Sequence, residues 1–279
     1  MMKKIRKFFF RLFLVIMVIG FIYFAFEMIK ACLITPRMIG KALENSDLKV
    51  SDLSQWQLDA LLAVEDPNFY DHNGVDLKTP GAGITTITQG LVKIFYFDEF
   101  KSGFAKIKQT LIARYVMDRL VNKDDQLTLF LNYVYLGNIK GEPVIGFEQA
   151  AKVYFNKTVS KLSKDEYLSI VAMIIAPNNF HILNHREANA ERTNRIKKLV
   201  SGEYKPKKLM DLYYGELDEE TQKGLPPASY FPSLIKAKCV ESLRLIKAEI
   251  NSLSWRGLQS LSRLFAAGKN GLLQRLKEL

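Results

Sequence analysis

The first place in this chain where side chains could do chemistry is the acid pair Glu65 and Asp66. The pair closes the helical run WQLDALLAV, which opens on the capping pattern Ser54-x-x-Gln57, while Pro67 disfavours helical backbone at Asp66. Carboxylates favour the amino-terminal end of a helix dipole, so two at the carboxyl end hint at a site more than at stability. Taken alone the pair reads as a solvated helix end. If it is partly shielded from water, Glu65 gains a raised pKa and suits removal of a proton from a hydroxyl.

The next segment, DHNGVDLKTPGAGITTITQ, is a loop marked by Gly74, Pro80, Gly81 and Gly83, with Thr85 or Thr86 as the cap of a helix ITQGLVKIFYF. Backbone N–H groups at such a helix start favour phosphate, and Lys93 lies on the helix itself. The segment has neither a Walker lysine nor a GxGxxG repeat, so it is not read as a nucleotide site. Cations follow it: Lys101, Lys106, Lys108, Arg114, Arg119 and Lys123.

These residues need a scaffold, and 279 residues allow one mid-sized catalytic domain with appendages. Hydrophobic residues make up 48% and charged residues 25%, so most of the chain should fold. Residues 8–26 are apolar except for Arg11, and nineteen helical residues span about 28 Å, close to the hydrocarbon thickness. A transmembrane signal-anchor helix is therefore expected over residues 8–28. Five of the cations behind the net charge of +11 (Lys3, Lys4, Arg6, Lys7 and Arg11) precede or enter that span. By the positive-inside rule they mark residues 1–7 as a cytoplasmic tail and send the rest of the chain outside. The charge thus has a use other than nucleic acid. Cys32 and Cys239 form no disulfide framework.

Beyond a connector over residues 29–50, the domain is expected over residues 51–200. Two helices broken near Asn122 fit residues 105–136, and Ser163-x-x-Glu166 opens a buried helix YLSIVAMIIA stopped by Pro177. Tyr154 and Phe155 read as packing residues. The fold class is all-α, mainly helical. A helical extension over residues 201–279 completes the chain, with a basic amphipathic pattern after Trp255 that suits an anionic lipid surface or the domain itself.

Taken in order, these segments resemble the family of peptidoglycan glycosyltransferases that polymerise lipid II, over residues 63–200. AVEDPNFYDHNGVD is similar to the first family motif through Glu65, Asp66, Phe69, His72 and Gly74. Gly83, Thr85, Thr86, Ile87, Gln89 and Lys93 resemble the second, although Gly90 and Ile94 depart from it. KIKQTLIA with FLNYVYLG resembles the third, GFEQAAKVYFNKTVSKLSKDEYLSIVAMIIAPNNF the fourth, and AERTNRIKKL with Arg192 and Arg195 the fifth.

The resemblance implies a lysozyme-like glycosyltransferase domain held at the bacterial inner membrane and facing the periplasm. It implies lipid II and the growing lipid-linked glycan as substrates, joined β-1,4, and other cell-wall synthesis proteins as partners. Glu65 would be the base, with Asp66, His72, Thr85, Thr86, Gln89, Lys93, Lys101, Lys106 and Lys108 binding substrate. Gln109 stands where the family places a second glutamate, and a shift by one residue would put Thr110 there. A divalent cation, magnesium or manganese, is left open, and no cofactor is expected. With no carboxylate at that position, the alternatives are a weakened enzyme or a relative that binds lipid II, or a cell-wall synthesis partner, without polymerising. A lysozyme-like hydrolase is disfavoured because most glycosidases need two carboxylates. Ser233-x-x-Lys236 superficially resembles a penicillin-binding nucleophile, but the chain is expected to be monofunctional.

Overall fold

Helices dominate the computed structural model, which describes residues 2–101 and 103–215. The extension beyond Gly215, with Ser233, Lys236, Cys239 and the pattern after Trp255, lies outside the described residues.

The first helix, α1 (Met2–Glu44), carries the apolar run; among the described residues it is the one helix long and apolar enough to cross a membrane. Its most apolar stretch is left unburied by the other described residues. The segment expected as a mixed connector continues this helix to Glu44 and through Pro36. Tertiary packing explains that persistence. Ala31, Thr35, Met38 and Ala42 are buried on the domain, and Tyr133 donates its hydroxyl to the Ala42 carbonyl at 3.0 Å. A proline costs a helix one hydrogen bond, and this docking face offsets the loss.

Helix α2 (Gln55–Glu65) begins as its sequence requires: the Ser54 hydroxyl accepts the Gln57 N–H, and the Gln57 side chain returns to the Ser54 N–H at 2.9 Å. Ala60, Leu61 and Val64 form its buried face. Helix α3 (Ile87–Tyr96) starts with the same device, Thr86 and Gln89 serving as the pair, so Thr86 rather than Thr85 is the cap.

Helix α4 (Phe104–Ile112) leads through a π-helical turn at Ala113–Met117 into the short α5 (Asp118–Leu120). The chain breaks at Asn122, as expected. There the Asn122 side chain accepts the Asp125 N–H at 2.8 Å and caps α6 (Lys123–Tyr133). No sequence pattern marks the π turn. It places the Ala113 carbonyl against Gly74, where an added Cβ would lie 2.5 Å from that oxygen.

A two-stranded antiparallel hairpin, β1 (Tyr135–Ile139) and β2 (Glu142–Ile145), interrupts the helices and went unread in the sequence. Its turn residues Lys140 and Gly141 both have positive φ, 53° and 89°, which is the primed geometry that matches strand twist. Lys-Gly is a weaker signal for that turn than Asn-Gly, and neither strand alternates in hydrophobicity.

Helix α7 (Phe147–Phe155) follows, then α8 (Lys164–Met173) and α9 (Arg186–Val200). Tyr154 packs as expected, its hydroxyl on the Leu136 carbonyl at 2.7 Å. Helix α8 is the centre of the core, with Tyr167, Leu168, Ile170, Val171, Ala172 and Met173 all buried and with α2, α7 and α9 packed around it. Its regular part ends at Met173, before the apolar run does, and Ile174 to Ala176 turn toward Pro177.

Gly74 has φ of +73° and no room for a Cβ against the π turn. Gly74→Ala should therefore lower stability by about 2–4 kcal/mol, combining left-handed strain with a backbone clash. Chemical denaturation should report the loss; a change under about 0.5 kcal/mol would contradict the packing described.

Candidate active site

A carboxylate without exposed surface must find donors, and Asp66 is fully buried. Its two oxygens face His72 Nε2 at 2.9 and 3.0 Å, and one also accepts the Ile87 N–H at 3.0 Å. One side chain therefore joins the end of α2 to the start of α3. Lys123 completes the bracket, reaching the His72 carbonyl at 2.8 Å and Asp118 at 2.7 Å while its ammonium lies over the Phe69 ring. Asp66 and His72 were expected to bind substrate; in the fold both side chains are buried and bonded to each other.

Glu65 turns the other way, into a cavity of about 30 Å³ lined by Val64, Gly83, Thr85, Arg192, Leu212 and Tyr214 among others. It is half-buried. Loss of water around the carboxyl raises its pKa from 4.5 to about 7, the Arg192 guanidinium opposes the rise, and the Asp66 charge adds to it. The acid pair thus divides into a structural member and one whose proton affinity suits a base at neutral pH.

Thr85 shares the Glu65 cavity, and Lys106 donates to the Thr85 hydroxyl at 3.2 Å and to the Ile84 carbonyl at 3.1 Å. Burial lowers the Lys106 pKa from 10.5 to about 8. Lys93 is likewise lowered to about 8, first by burial and then by the Lys106 charge, and its ammonium lies over the Phe100 ring at 4.7 Å. These two lysines interact with each other, and Lys106 reaches the cavity residue Thr85. Lys101 is exposed and faces Glu99 at 3.4 Å, while Lys108 pairs with Glu27 on α1. The buried Thr86 and Gln89 carry the cap of α3.

Gln109 has no exposed surface, and its amide nitrogen donates to the Gln89 carbonyl at 2.6 Å. It points into the packing between α3 and α4 and does not line the cavity. Thr110 lies one turn from Lys106 on α4 and accepts the Gln89 side-chain amide at 3.1 Å. Of the two registers the sequence allowed, Thr110 is the one on the Lys106 face. Among the described residues no three His, Cys, Asp or Glu side chains gather to hold a metal ion.

Arg192 belongs at the site although it was noted in sequence only as part of a motif. It is 3% exposed, lines the Glu65 cavity, and donates to the carbonyls of Ala172 at 3.1 Å and Leu212 at 3.0 Å. Phe180, Tyr213 and Tyr214 surround its guanidinium within 5.6 Å of their ring centroids. Leu212, Met210 and Tyr214 were missed altogether, since a loop after the last matched motif carries no periodic signal.

Because the folded pKa of Glu65 lies above its ordinary 4.5, the folded chain binds the extra proton between pH 5 and 7. Stability from this group is complete at low pH and is lost as pH rises through about 7. Thermal or urea unfolding should show wild type losing about 1–2 kcal/mol between pH 5 and 8 relative to Glu65→Gln, after a discount for partial exposure. Parallel pH curves would contradict the assigned environment.

Part of the chain is similar to known proteins. The family model described as Transglycosylase matches residues 78–201, so Glu65, Asp66 and His72 lie just upstream of the match. Penicillin-binding protein 1B of Buchnera aphidicola is 28% identical over 233 residues, covering 78% of this chain and 30% of that protein. Penicillin-binding protein 1A of Neisseria flavescens is 33% identical over 154 residues, covering 50% of this chain and 19% of its own. For penicillin-binding protein 1B of Escherichia coli the identity is 31% over 156 residues, with 51% and 18% covered. The matched part of the chain thus covers 18–30% of the length of these relatives, and over residues 78–201 the chain is similar to the Transglycosylase family.

Proposed function

We propose that this chain polymerises lipid II into β-1,4 glycan. The 4-hydroxyl oxygen of lipid II attacks the anomeric carbon of the growing lipid-linked strand, forming the glycosidic bond with inversion. Glu65 takes the hydroxyl proton. The bond from the anomeric carbon to the diphosphate oxygen breaks, and undecaprenyl diphosphate leaves with the electron pair. Lys106 and Lys93 face the charge that develops on it. The carrying observation is the single cavity in which Glu65 and Thr85 meet, with Lys106 bonded to Thr85.

Position relative to the membrane supports a lipid-linked substrate. Glu27 directly follows the apolar run of α1 and pairs with Lys108 of α4, so α4 meets the anchor at the end of its apolar stretch. Phe104 and Ile107 on α4 are exposed. A diphosphate at headgroup depth would thus lie beside Lys106, with the amino-terminal lysines on the cytoplasmic side and the domain on the other. Lys101 would add long-range attraction only, since it is exposed and faces Glu99. No step is assigned to a metal ion.

The test is polymerisation of labelled lipid II by the detergent-solubilised full chain. Glu65→Gln should lose about 10²–10⁴-fold in rate, the usual worth of a positioned general base. Absence of polymer from wild type with lipid II still bound would instead favour a binding protein. The pH dependence of kcat/KM should be a narrow bell, rising with loss of the Glu65 proton near pH 7 and falling as Lys93 and Lys106 discharge near pH 8. Lys106→Arg should keep its charge and move the alkaline limb upward; an unmoved limb would remove Lys106 from the assignment. Gln109→Glu would set a buried carboxylate against the Gln89 carbonyl, so it should cost about 1–3 kcal/mol of stability without raising the rate. A faster Gln109→Glu enzyme of unchanged stability would contradict that placement.

A further inference from the structure

After α9 the chain folds back as a strap, residues 204–214, over the glycine loop that borders Glu65. The Gly81 N–H donates to the Lys208 carbonyl at 3.0 Å and the Gly83 N–H to the Leu209 carbonyl at 2.9 Å. Pro206 and Leu212 fill the space where side chains on Gly81 and Gly83 would stand, at 2.8 and 3.0 Å from their ideal Cβ positions. On its outer side the Tyr204 hydroxyl latches onto Asp211 at 2.7 Å. On its inner side Arg192 and Arg195 donate to the Leu212 and Tyr213 carbonyls at 3.0 and 3.4 Å.

The strap ends on an outlier. Tyr214 has φ of +55°, a left-handed backbone that a bulky aromatic residue adopts at a cost of about 1–3 kcal/mol. It is 4% exposed, its ring lies against the Arg192 guanidinium, and its hydroxyl donates to the Val64 carbonyl at 3.1 Å. Val64 immediately precedes Glu65, and its carbonyl is among the last of α2, which the helix leaves without an internal partner. Strain held at one residue while its side chain reaches the turn bearing the proposed base is the pattern of a positioning contact.

We propose that Tyr214 is a positioning residue for Glu65: the strap closes over the glycine loop and, through the Tyr214 hydroxyl, fixes the end of α2 so that the carboxylate faces the cavity. This rests on the reading of Glu65 as the base. The strap also walls the cavity into which Glu65 turns. Met210, Leu212 and Tyr214 form that wall. The charged and titratable groups facing Glu65 are Arg192 from α9, Asp66 from the end of its own helix and Tyr214 from the strap. Arg192 bonds both α8 and the strap, so the charge that opposes proton uptake is held by the element that shields the carboxyl.

The experiment uses the full chain in detergent and follows Glu65 protonation by the carboxyl infrared band that Glu65→Gln removes. Tyr214→Phe keeps the ring and loses the hydroxyl; Tyr204→Phe releases the outer latch. Both should lower the Glu65 titration midpoint by roughly half a pH unit or more, because water enters behind the loosened strap. In Tyr214→Phe, kcat for lipid II polymerisation should fall about five- to ten-fold while KM stays within about two-fold. If Tyr214→Phe does not fold, Tyr204→Phe carries the same measurement. Unchanged midpoint and kcat in folded variants would overturn the role. A midpoint that falls in a chain making no polymer would uphold the positioning contact and overturn the proposed reaction.

Discussion

One buried carboxylate organises this domain. Asp66 is taken wholly out of water, which is tolerable only if every oxygen meets a donor, and the donors come from two directions: the His72 ring and the first N–H of α3. Satisfying it fixes where α2 stops, where α3 starts and how the intervening loop folds. Gly74 is then forced against the π turn, and the Thr86 hydroxyl reaches the Gly74 carbonyl at 2.8 Å. Glu65, one residue earlier, is left to turn into the cavity. The constraint explains why an acid pair is needed at all, since two neighbouring residues at a helix end cannot both point the same way.

Much of this was legible in the residues, and the parts that were not share a cause. Capping boxes at Ser54, Thr86 and Ser163 are local in sequence, so the starts of α2, α3 and α8 could be read from four-residue patterns. The end of α2 at Glu65 was likewise legible from Pro67, although the acid pair taken alone reads as a solvated helix end. What escaped depends on distant contacts. The extension of α1 past Pro36 rests on Tyr133, far along the chain. The roles of Asp66 and His72 depend on burial that no spacing reveals. Counting from Lys93 put Gln109, or Thr110 with a shift of one, where the resemblance has a second glutamate, and a turn of helix places Thr110 on the face of Lys106. The strap offers no periodicity, and its meaning appears only when Gly81 and Gly83 are seen against it.

The functional cleft carries its own electrostatic logic. Burial raises the proton affinity of Glu65 and lowers that of Lys93 and Lys106. Both shifts have one origin, since a dry environment disfavours charge of either sign. Near neutral pH the free site therefore sits close to the point where acid and lysines are each partly discharged. A phosphorylated substrate changes that balance by bringing negative charge to the lysines, which favours their protonated forms.

That balance also clarifies the division between Lys106 and Lys108. Lys108 is two residues farther along α4, and its charge is answered by Glu27 at the end of the apolar stretch. An ion pair with both partners mostly shielded holds α4 to α1 and adds little net attraction for a ligand. Lys106 has a carbonyl and a hydroxyl as partners, neither of which cancels its charge. It is desolvated without being neutralised, the condition under which a cation acts most strongly on an incoming anion. The difference between these two lysines of one helix thus comes down to whether the partner is a carboxylate.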